Sequence, residues 1–158
     1  MNKLTKAISS AAMLLSLTGA VTASAATDTT SHGTLCNPQP ADVSKIIYNQ
    51  FGVVNTAASA AGVQCGAAIV TGATISQVAL EVFDRNASTN VSCTLVLTDV
   101  FGNTVFSQTQ ATTGSGSAAK LLQFFPAVAT HTLTLSCSLP AISGVDASAI
   151  ATYRVFTP

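Results

Sequence analysis

The chain has 158 residues, of which 48% are hydrophobic and only 8% are charged, with six lysines and arginines against six aspartates and glutamates. Because no basic run is present to follow a phosphate backbone, the composition argues against nucleic acid and against an anionic membrane surface as partners. The apolar fraction is high enough to build a core, so the low charge does not indicate disorder.

Residues 1–25 have the pattern of a signal peptide for export. A short segment with two lysines precedes the apolar, uncharged stretch 11–21, and Ala23-Ser24-Ala25 is a small-x-small cleavage site. The apolar stretch is shorter than the roughly 20 residues that a membrane-spanning helix needs. We therefore expect cleavage after Ala25, no membrane insertion after cleavage, and a secreted or periplasmic mature chain.

The mature chain is expected to form one domain, residues 36–158, behind a flexible lead-in, residues 26–35, that is polar and has no pattern. Residues 36–40 enter the domain as extended or turning chain, because a residue before a proline is pushed out of the helical region. Strand patterns then follow at 46–51, 63–69, 75–83, 91–98, 105–106, 121–125, 132–139 and 150–156.

The alternation is clearest at 91–98 and 132–139, where leucines and a cysteine occupy one phase and mostly hydroxyl side chains the other. A hairpin turn is predicted after the first of these strands, because Gly102 and Asn103 tolerate the positive φ that such turns require. Strand patterns bounded by turns, without a βαβ rhythm, predict an all-β fold, an antiparallel β-sandwich of about eight strands.

Four cysteines follow the predicted export signal: Cys36, Cys65, Cys93 and Cys137. Of the three possible pairings we favour Cys36 with Cys65 and Cys93 with Cys137, because the last two share the leucine-rich phase of the two clearest strands. Two disulfides of this kind indicate an oxidising compartment. A metal site would need Cys-x-x-Cys pairs or added histidines, and neither spacing occurs, so no metal or cofactor is expected.

The sequence offers few candidate catalytic residues. His32 lies in the predicted lead-in, and His131 lies beside the start of a strand. Glu81 and Asp84 are three residues apart on a predicted strand, which places them on opposite faces. The run Gly114-Ser115-Gly116-Ser117 lacks the strand-turn-helix context of a nucleophile turn. We therefore assign no catalytic residue and expect that the protein is not an enzyme.

A calcium site is an alternative at the turns, where oxygen ligands are available: Asp84, Asn86, Asn90, Asp99 and Asn103. Such a site requires that the two turns meet at one end of the sandwich. The same residues favour turns through local hydrogen bonds to the backbone, and we adopt that interpretation.

Short runs spread over nearly the whole mature chain resemble an uncharacterised group of small secreted bacterial proteins. The runs are Tyr48-Asn49-Gln50-Phe51-Gly52-Val53-Val54-Asn55, Val63-Gln64-Cys65, Phe83-Asp84-Arg85, Val91-Ser92-Cys93, Leu135-Ser136-Cys137-Ser138-Leu139-Pro140 and Tyr153-Arg154-Val155. The resemblance implies a jelly-roll-like sandwich outside the cytoplasm. It implies no activity, so no functional residue is transferred from it.

These observations favour a secreted, non-catalytic module of unknown ligand, with either a binding or a structural role and an extracellular ligand or surface component as its partner. Binding contacts are expected in the loops 84–90 and 111–119, since binding residues gather on loops held by a rigid scaffold. The alternatives are a carbohydrate-binding module, a surface-fibre subunit and, last, a secreted hydrolase. The chain has no tryptophan, so a sugar platform on a sheet face would depend on Tyr48, Tyr153 and phenylalanines.

Overall fold

The alternation of apolar and hydroxyl side chains produces an all-β structure, which confirms the predicted antiparallel sandwich. The computed structural model describes residues 27–158, so the predicted export signal lies outside the described residues. Within 27–158 there are thirteen strands: β1 Thr27–His32, β2 Asn37–Pro38, β3 Ile46–Asn49, β4 Gly52–Asn55, β5 Ala61–Gly66, β6 Thr74–Ile75, β7 Gln77–Phe83, β8 Ser92–Thr98, β9 Thr104–Ala111, β10 Lys120–Phe124, β11 Val128–Ala129, β12 Thr132–Leu139 and β13 Ala149–Thr157.

Two larger sheets form the sandwich. The first sheet has the order β10-β7-β13-β4-β3, and β1 also pairs with β13. The second sheet has the order β2-β5-β12-β8-β9, while β6 and β11 form a small separate pair. Two short 3-10 helices, Gly33–Leu35 and Pro40–Lys45, connect the first strands of the described part. No helix between residues 27 and 158 is long and apolar enough to cross a membrane.

The core lies between the two sheets and is built from the inward phases of the long strands. Fully or almost fully buried side chains include Val78, Leu80 and Val82 of β7, Cys93, Leu95 and Leu97 of β8, Leu133, Leu135, Cys137 and Leu139 of β12, and Ile150, Tyr153 and Val155 of β13. Each such aliphatic side chain contributes about 1.5–3 kcal/mol by leaving water. The period-2 pattern of the sequence therefore identifies most of this core.

One disulfide joins neighbouring strands of the second sheet, and the other joins the residue before β2 to β5. Cys93 and Cys137 stand directly opposite each other on β8 and β12, and their Cα atoms are 4.0 Å apart. Cys36 precedes β2 and bonds to Cys65 of β5. This is the pairing that the sequence analysis favours, and both links face the core.

The structure differs from the prediction in the segment expected to be a flexible lead-in. Residues 27–32 form β1, which pairs with β13 from Thr27 opposite Thr157 to His32 opposite Thr152. The side chains of β1 are exposed except for that of Ser31, which is half-buried. Because backbone hydrogen bonds hold this strand, it needs no apolar phase, and its sequence carries no strand signal.

The predicted strand 46–51 is divided into a hairpin. β3 ends at Asn49, the chain turns, and β4 begins at Gly52, whose φ is +103°. The side-chain oxygen of Asn49 accepts a hydrogen bond from the Phe51 backbone N–H at 2.8 Å. An Asn side chain that bonds two residues ahead stabilises a turn, and glycine allows the positive φ that follows.

Candidate functional site

A cleft of about 240 Å³ opens at the end of the first sheet where β7 ends and β13 begins. We call it the end cleft. Its lining is formed by Asn49, Phe51, Val54, Phe83, Arg85, Val145, Asp146, Ala147 and Ala149. A concave site with apolar walls and a few converging polar groups is the usual form of a small-ligand site in proteins.

The aromatic wall of the end cleft comes from one strand and one turn. Phe51 lies at the tip of the β3–β4 hairpin, and 52% of its surface is exposed. Phe83 is the last residue of β7 and contacts the Phe51 ring edge to face, with a centroid distance of 6.1 Å and an interplanar angle of 82°. This arrangement suits the quadrupoles of the two rings, so it keeps Phe51 in place while leaving part of its ring open to solvent.

The charged groups of the end cleft are one arginine and one aspartate. The Arg85 guanidinium carbon lies 5.5 Å from the centroid of the Phe83 ring, within the range of a cation–π contact. The Arg85 backbone N–H donates to the hydroxyl of Ser148 at 3.0 Å, which anchors the residue. Among residues 27–158, neither the Arg85 guanidinium nor the Asp146 carboxylate has a hydrogen-bond or ion-pair partner. Both groups are therefore available to a ligand.

Behind the end cleft, the buried Asp84 joins two loops. Its carboxylate accepts hydrogen bonds from the Thr112 hydroxyl, from the Val91 backbone N–H at 3.4 Å and from the Asn86 backbone N–H at 3.3 Å. The Asp84 carbonyl oxygen also accepts from the Gly116 N–H at 2.9 Å. Asp84 is thus a structural residue that holds the loops 84–91 and 112–116 together.

A second depression, about 340 Å³ in volume, lies on the outer face of the first sheet. We call it the sheet groove. It is lined by Gln77, Ala79 and Glu81 of β7, by Lys120, Leu121 and Gln123 of β10 with the preceding Ala119, and by Thr152, Arg154 and Phe156 of β13. The Thr152 hydroxyl donates to the Glu81 carboxylate at 3.3 Å. The Lys120 ammonium donates to the Gly114 carbonyl oxygen at 2.7 Å, so this cation is occupied by the loop.

The structure does not bring the predicted acid–base candidates together. His32 is exposed, and its Nδ1 accepts the Thr34 N–H at 3.3 Å, which caps the first 3-10 helix. His131 is half-buried, and its backbone N–H donates to the Thr98 carbonyl oxygen at 2.7 Å. Glu81 points outward from β7 while Asp84 is buried, as their spacing predicts.

The two turns that carry the candidate calcium ligands lie at opposite ends of β8. Since β8 has seven residues, the two turns are separated by roughly 20 Å along the strand. Asp99 instead organises its own hairpin by accepting the N–H groups of Phe101 and Asn103 at 2.9 and 2.8 Å. Within the described part of the chain, no group of three or more His, Cys, Asp or Glu side chains is placed to hold a metal ion.

The two tyrosines do not form a sugar platform on a sheet face. Tyr153 is only 1% exposed, and its hydroxyl donates to the Gly66 carbonyl oxygen inside the sandwich. Tyr48 is half-exposed, and its hydroxyl donates to the Cys36 carbonyl oxygen at 3.1 Å.

The sequence did not predict Phe51 and Asp146 as site residues. The only sequence signal for Phe51 is its place before Gly52 at a turn.

Comparison with known proteins gives similarity in fold. No protein-family model and no curated protein matches the chain. Among solved structures, it is similar to the active domain of tailspike protein 4 of bacteriophage CBA120, with 12% identity over 82% of this chain and 19% of that chain, TM-score 0.48. It is similar to a family two carbohydrate esterase from Cellvibrio japonicus, with 5% identity over 84% of this chain and 34% of that chain, TM-score 0.51.

A third similar structure is the carbohydrate-binding module CBM36 in complex with calcium and xylotriose. The identity is 17% over 81% of this chain and 98% of that module, with a TM-score of 0.49. Other similar structures are also described as carbohydrate-binding modules. The chain spans about a fifth of the length of the tailspike chain and about a third of the length of the esterase chain. At these identities the likeness to the esterase shows a shared fold and no more.

Proposed function

We propose that this protein is a non-catalytic module that acts outside the cytoplasm and binds a neutral carbohydrate in the end cleft. One observation carries the proposal. The exposed Phe51 ring shares a cleft with the Arg85 guanidinium and the Asp146 carboxylate, and neither charged group has a partner among the described residues. The predicted export signal and the two disulfides support a location in an oxidising compartment.

The chemistry of the end cleft matches the two sides of a sugar ring. The C–H face of a pyranose is apolar and packs on an aromatic ring, which Phe51 offers. The hydroxyls at the ring edge both donate and accept hydrogen bonds, and the cleft offers the donor fork of Arg85 and the acceptor oxygens of Asp146. A ligand with a net charge would meet one favourable and one unfavourable charge, so a neutral polyol fits best.

The end cleft lacks the groups that hydrolysis requires. Glycoside hydrolysis generally uses two carboxylates, and the described lining of the cleft holds a single one, that of Asp146. It also holds no histidine, serine or cysteine that would act as base or nucleophile. The lining therefore supports binding without turnover.

Affinity electrophoresis in gels containing cellulose derivatives, xylan, mannan or galactan tests the proposal on the full chain, expressed with its own N-terminal segment under oxidising conditions. At least one polysaccharide should retard the folded protein. Phe51→Ala and Asp146→Asn should each weaken that binding about tenfold, which corresponds to about 1.4 kcal/mol.

Phe101→Ala is the matched control, because Phe101 is 86% exposed on the hairpin at the other end of the sandwich. It should bind like the parent protein. The proposal fails if no polysaccharide retards the folded protein. It also fails if Phe51→Ala and Phe101→Ala lower the affinity equally.

A further inference from the structure

We infer that the end cleft and the sheet groove form one continuous track that holds a linear, neutral glycan chain with β-1,4 linkages. This inference rests on the proposed function and specifies the form of its ligand. It distinguishes a module that binds along a polysaccharide chain from one that binds a single terminal sugar.

Continuity follows from the outward phase of β7. Gln77, Ala79 and Glu81 line the sheet groove, and Phe83, the next residue of the same phase, lines the end cleft. The residues between them, Val78, Leu80 and Val82, point into the core. Because alternate residues of a strand share one face, the two depressions follow each other along roughly 20 Å of β7.

The strand register supplies walls on both sides of this track. Glu81 pairs with Leu121 of β10 on one side and Thr152 of β13 on the other. Ala79 pairs in the same way with Gln123 and Arg154. A methyl side chain between two long ones leaves a trough, and this explains why Ala79 is only 6% exposed although it lies on the outer face.

The charges of the track favour a neutral occupant. The sheet groove offers Arg154 and Glu81 together with Lys120, whose ammonium is held by the loop, and the end cleft offers Arg85 and Asp146. Among the described residues, the Arg154 side chain has no hydrogen-bond or ion-pair partner. Both signs of charge occur in each half of the track, so a uniformly charged polymer would be repelled at some of these groups, whereas hydroxyls bond to both signs.

The shape of the track favours an extended chain. β7 pairs with β10 without a register shift, whereas its pairing with β13 shifts between Ile150 and Thr152, where the sheet groove meets the end cleft. The outward residues of β7 keep one alternating phase throughout, so the trough follows an extended strand. Glycans with β-1,4 linkages form straight ribbons that alternate apolar ring faces and hydroxyl edges. Glycans with α-1,4 linkages coil and would leave such a trough after a few units.

Titration calorimetry tests the inference with xylobiose against xylohexaose and cellobiose against cellohexaose, with maltohexaose as the coiled comparison. The full, disulfide-bonded chain should bind at least one β-1,4 hexaose about tenfold or more tightly than its dimer, since further units reach the sheet groove. Maltohexaose should show no comparable increase in affinity over the dimers. Ala79→Gln, which fills the trough, and Arg154→Gln should each reduce the ratio of hexaose affinity to dimer affinity to about threefold or less.

Thr134→Ala is the matched control, because Thr134 is exposed on the outer face of the second sheet. This variant should keep the full difference in affinity between hexaose and dimer. Thermal unfolding should show that all variants are folded. Equal affinities for dimer and hexaose, with binding still sensitive to Phe51→Ala, would overturn the continuous track and leave the end cleft as a site for one sugar. If neither β-1,4 series binds, the track is also overturned. The proposed function is judged separately, by the gels and by the comparison of Phe51→Ala with Phe101→Ala.

Discussion

Gly52 lies so close to Ile150 that a Cβ atom on the glycine would stand 1.9 Å from the Ile150 carbonyl oxygen. A Cβ atom on Gly33 would meet the same oxygen at the same distance. The register of β13 against β7 shifts just after Ile150, between Ile150 and Thr152. Two glycines therefore allow the β3–β4 hairpin and the first 3-10 helix to pack against the irregular start of β13, beside the end cleft.

Gly52→Ala should destabilise the fold by about 2 kcal/mol or more. The added methyl group would collide with backbone, and the φ of +103° is unfavourable for a residue with a Cβ. Urea unfolding measures the change. Gly66→Ala is the control, because nothing lies within 4 Å of a Cβ at Gly66. Equal losses for the two variants would mean that the contact with Ile150 has no energetic weight.

Removal of the Cys93–Cys137 disulfide should lower the free energy of unfolding by about 2–5 kcal/mol. The bond closes a sequence separation of 44 residues, so its loss frees a long loop of the unfolded chain. The measurement is urea unfolding of the double variant Cys93→Ala/Cys137→Ala. Non-reducing peptide mapping of the parent protein should show Cys36 linked to Cys65 and Cys93 to Cys137. A Cys36–Cys93 link or free thiols in folded protein would contradict the arrangement.

Asp84→Ala should cost about 1–3 kcal/mol, because the Thr112 hydroxyl and the Asn86 N–H lose their carboxylate acceptor, while the Val91 N–H keeps its bond to the Thr112 hydroxyl at 3.1 Å. Asp28→Ala, on the exposed strand β1, should change stability by less than about 0.5 kcal/mol. A double-mutant cycle with Thr112→Val isolates the contact between Asp84 and Thr112. Additive effects of the two changes would show that they do not interact.

Stability should decrease in acid as Asp42 and Asp99 become protonated. The hydrogen bond from Lys45 and that from the Gly62 N–H hold the pKa of Asp42 below 3.8, and the Asn103 side chain does the same for the pKa of Asp99. A lowered pKa means that each carboxylate stabilises the fold above pH 3.8 and that this contribution is lost as the pH falls through the folded-state pKa. Urea midpoints measured between neutral pH and pH 2 should fall less steeply for Asp99→Asn than for the parent. Parallel curves would contradict the assignment.

The purified protein should show no turnover on panels of ester, peptide and glycoside substrates. The described lining of the end cleft holds one carboxylate and no histidine. His131 shares a depression with Asp99, but the Asp99 carboxylate accepts hydrogen bonds from Phe101 and Asn103 of its own hairpin. Colorimetric assays over several hours at high protein concentration measure this. Turnover that His131→Ala or Glu81→Ala abolishes would overturn the non-catalytic assignment.

The sequence by itself determined the fold class and the two clearest strands, and it favoured, without deciding, the cysteine pairing that the structure has. Thr132–Leu139 has the predicted bounds, and Ser92–Thr98 begins one residue later than predicted. These features are readable because a strand with one buried face repeats every two residues, and that repeat depends only on neighbours in the chain. Cys93 and Cys137 lie within such repeats, so their shared phase places them in one core.

Only the tertiary structure decided how β1 is placed, where Tyr153 points and which residues form the candidate site. β1 is held by backbone hydrogen bonds to β13 at the other end of the chain, and its exposed side chains carry no pattern. The end cleft joins Phe51, Arg85 and Asp146 from three separate segments. Their meeting depends on how β4, β7 and β13 pair, and long-range strand pairing leaves no periodic trace in the residues that it brings together.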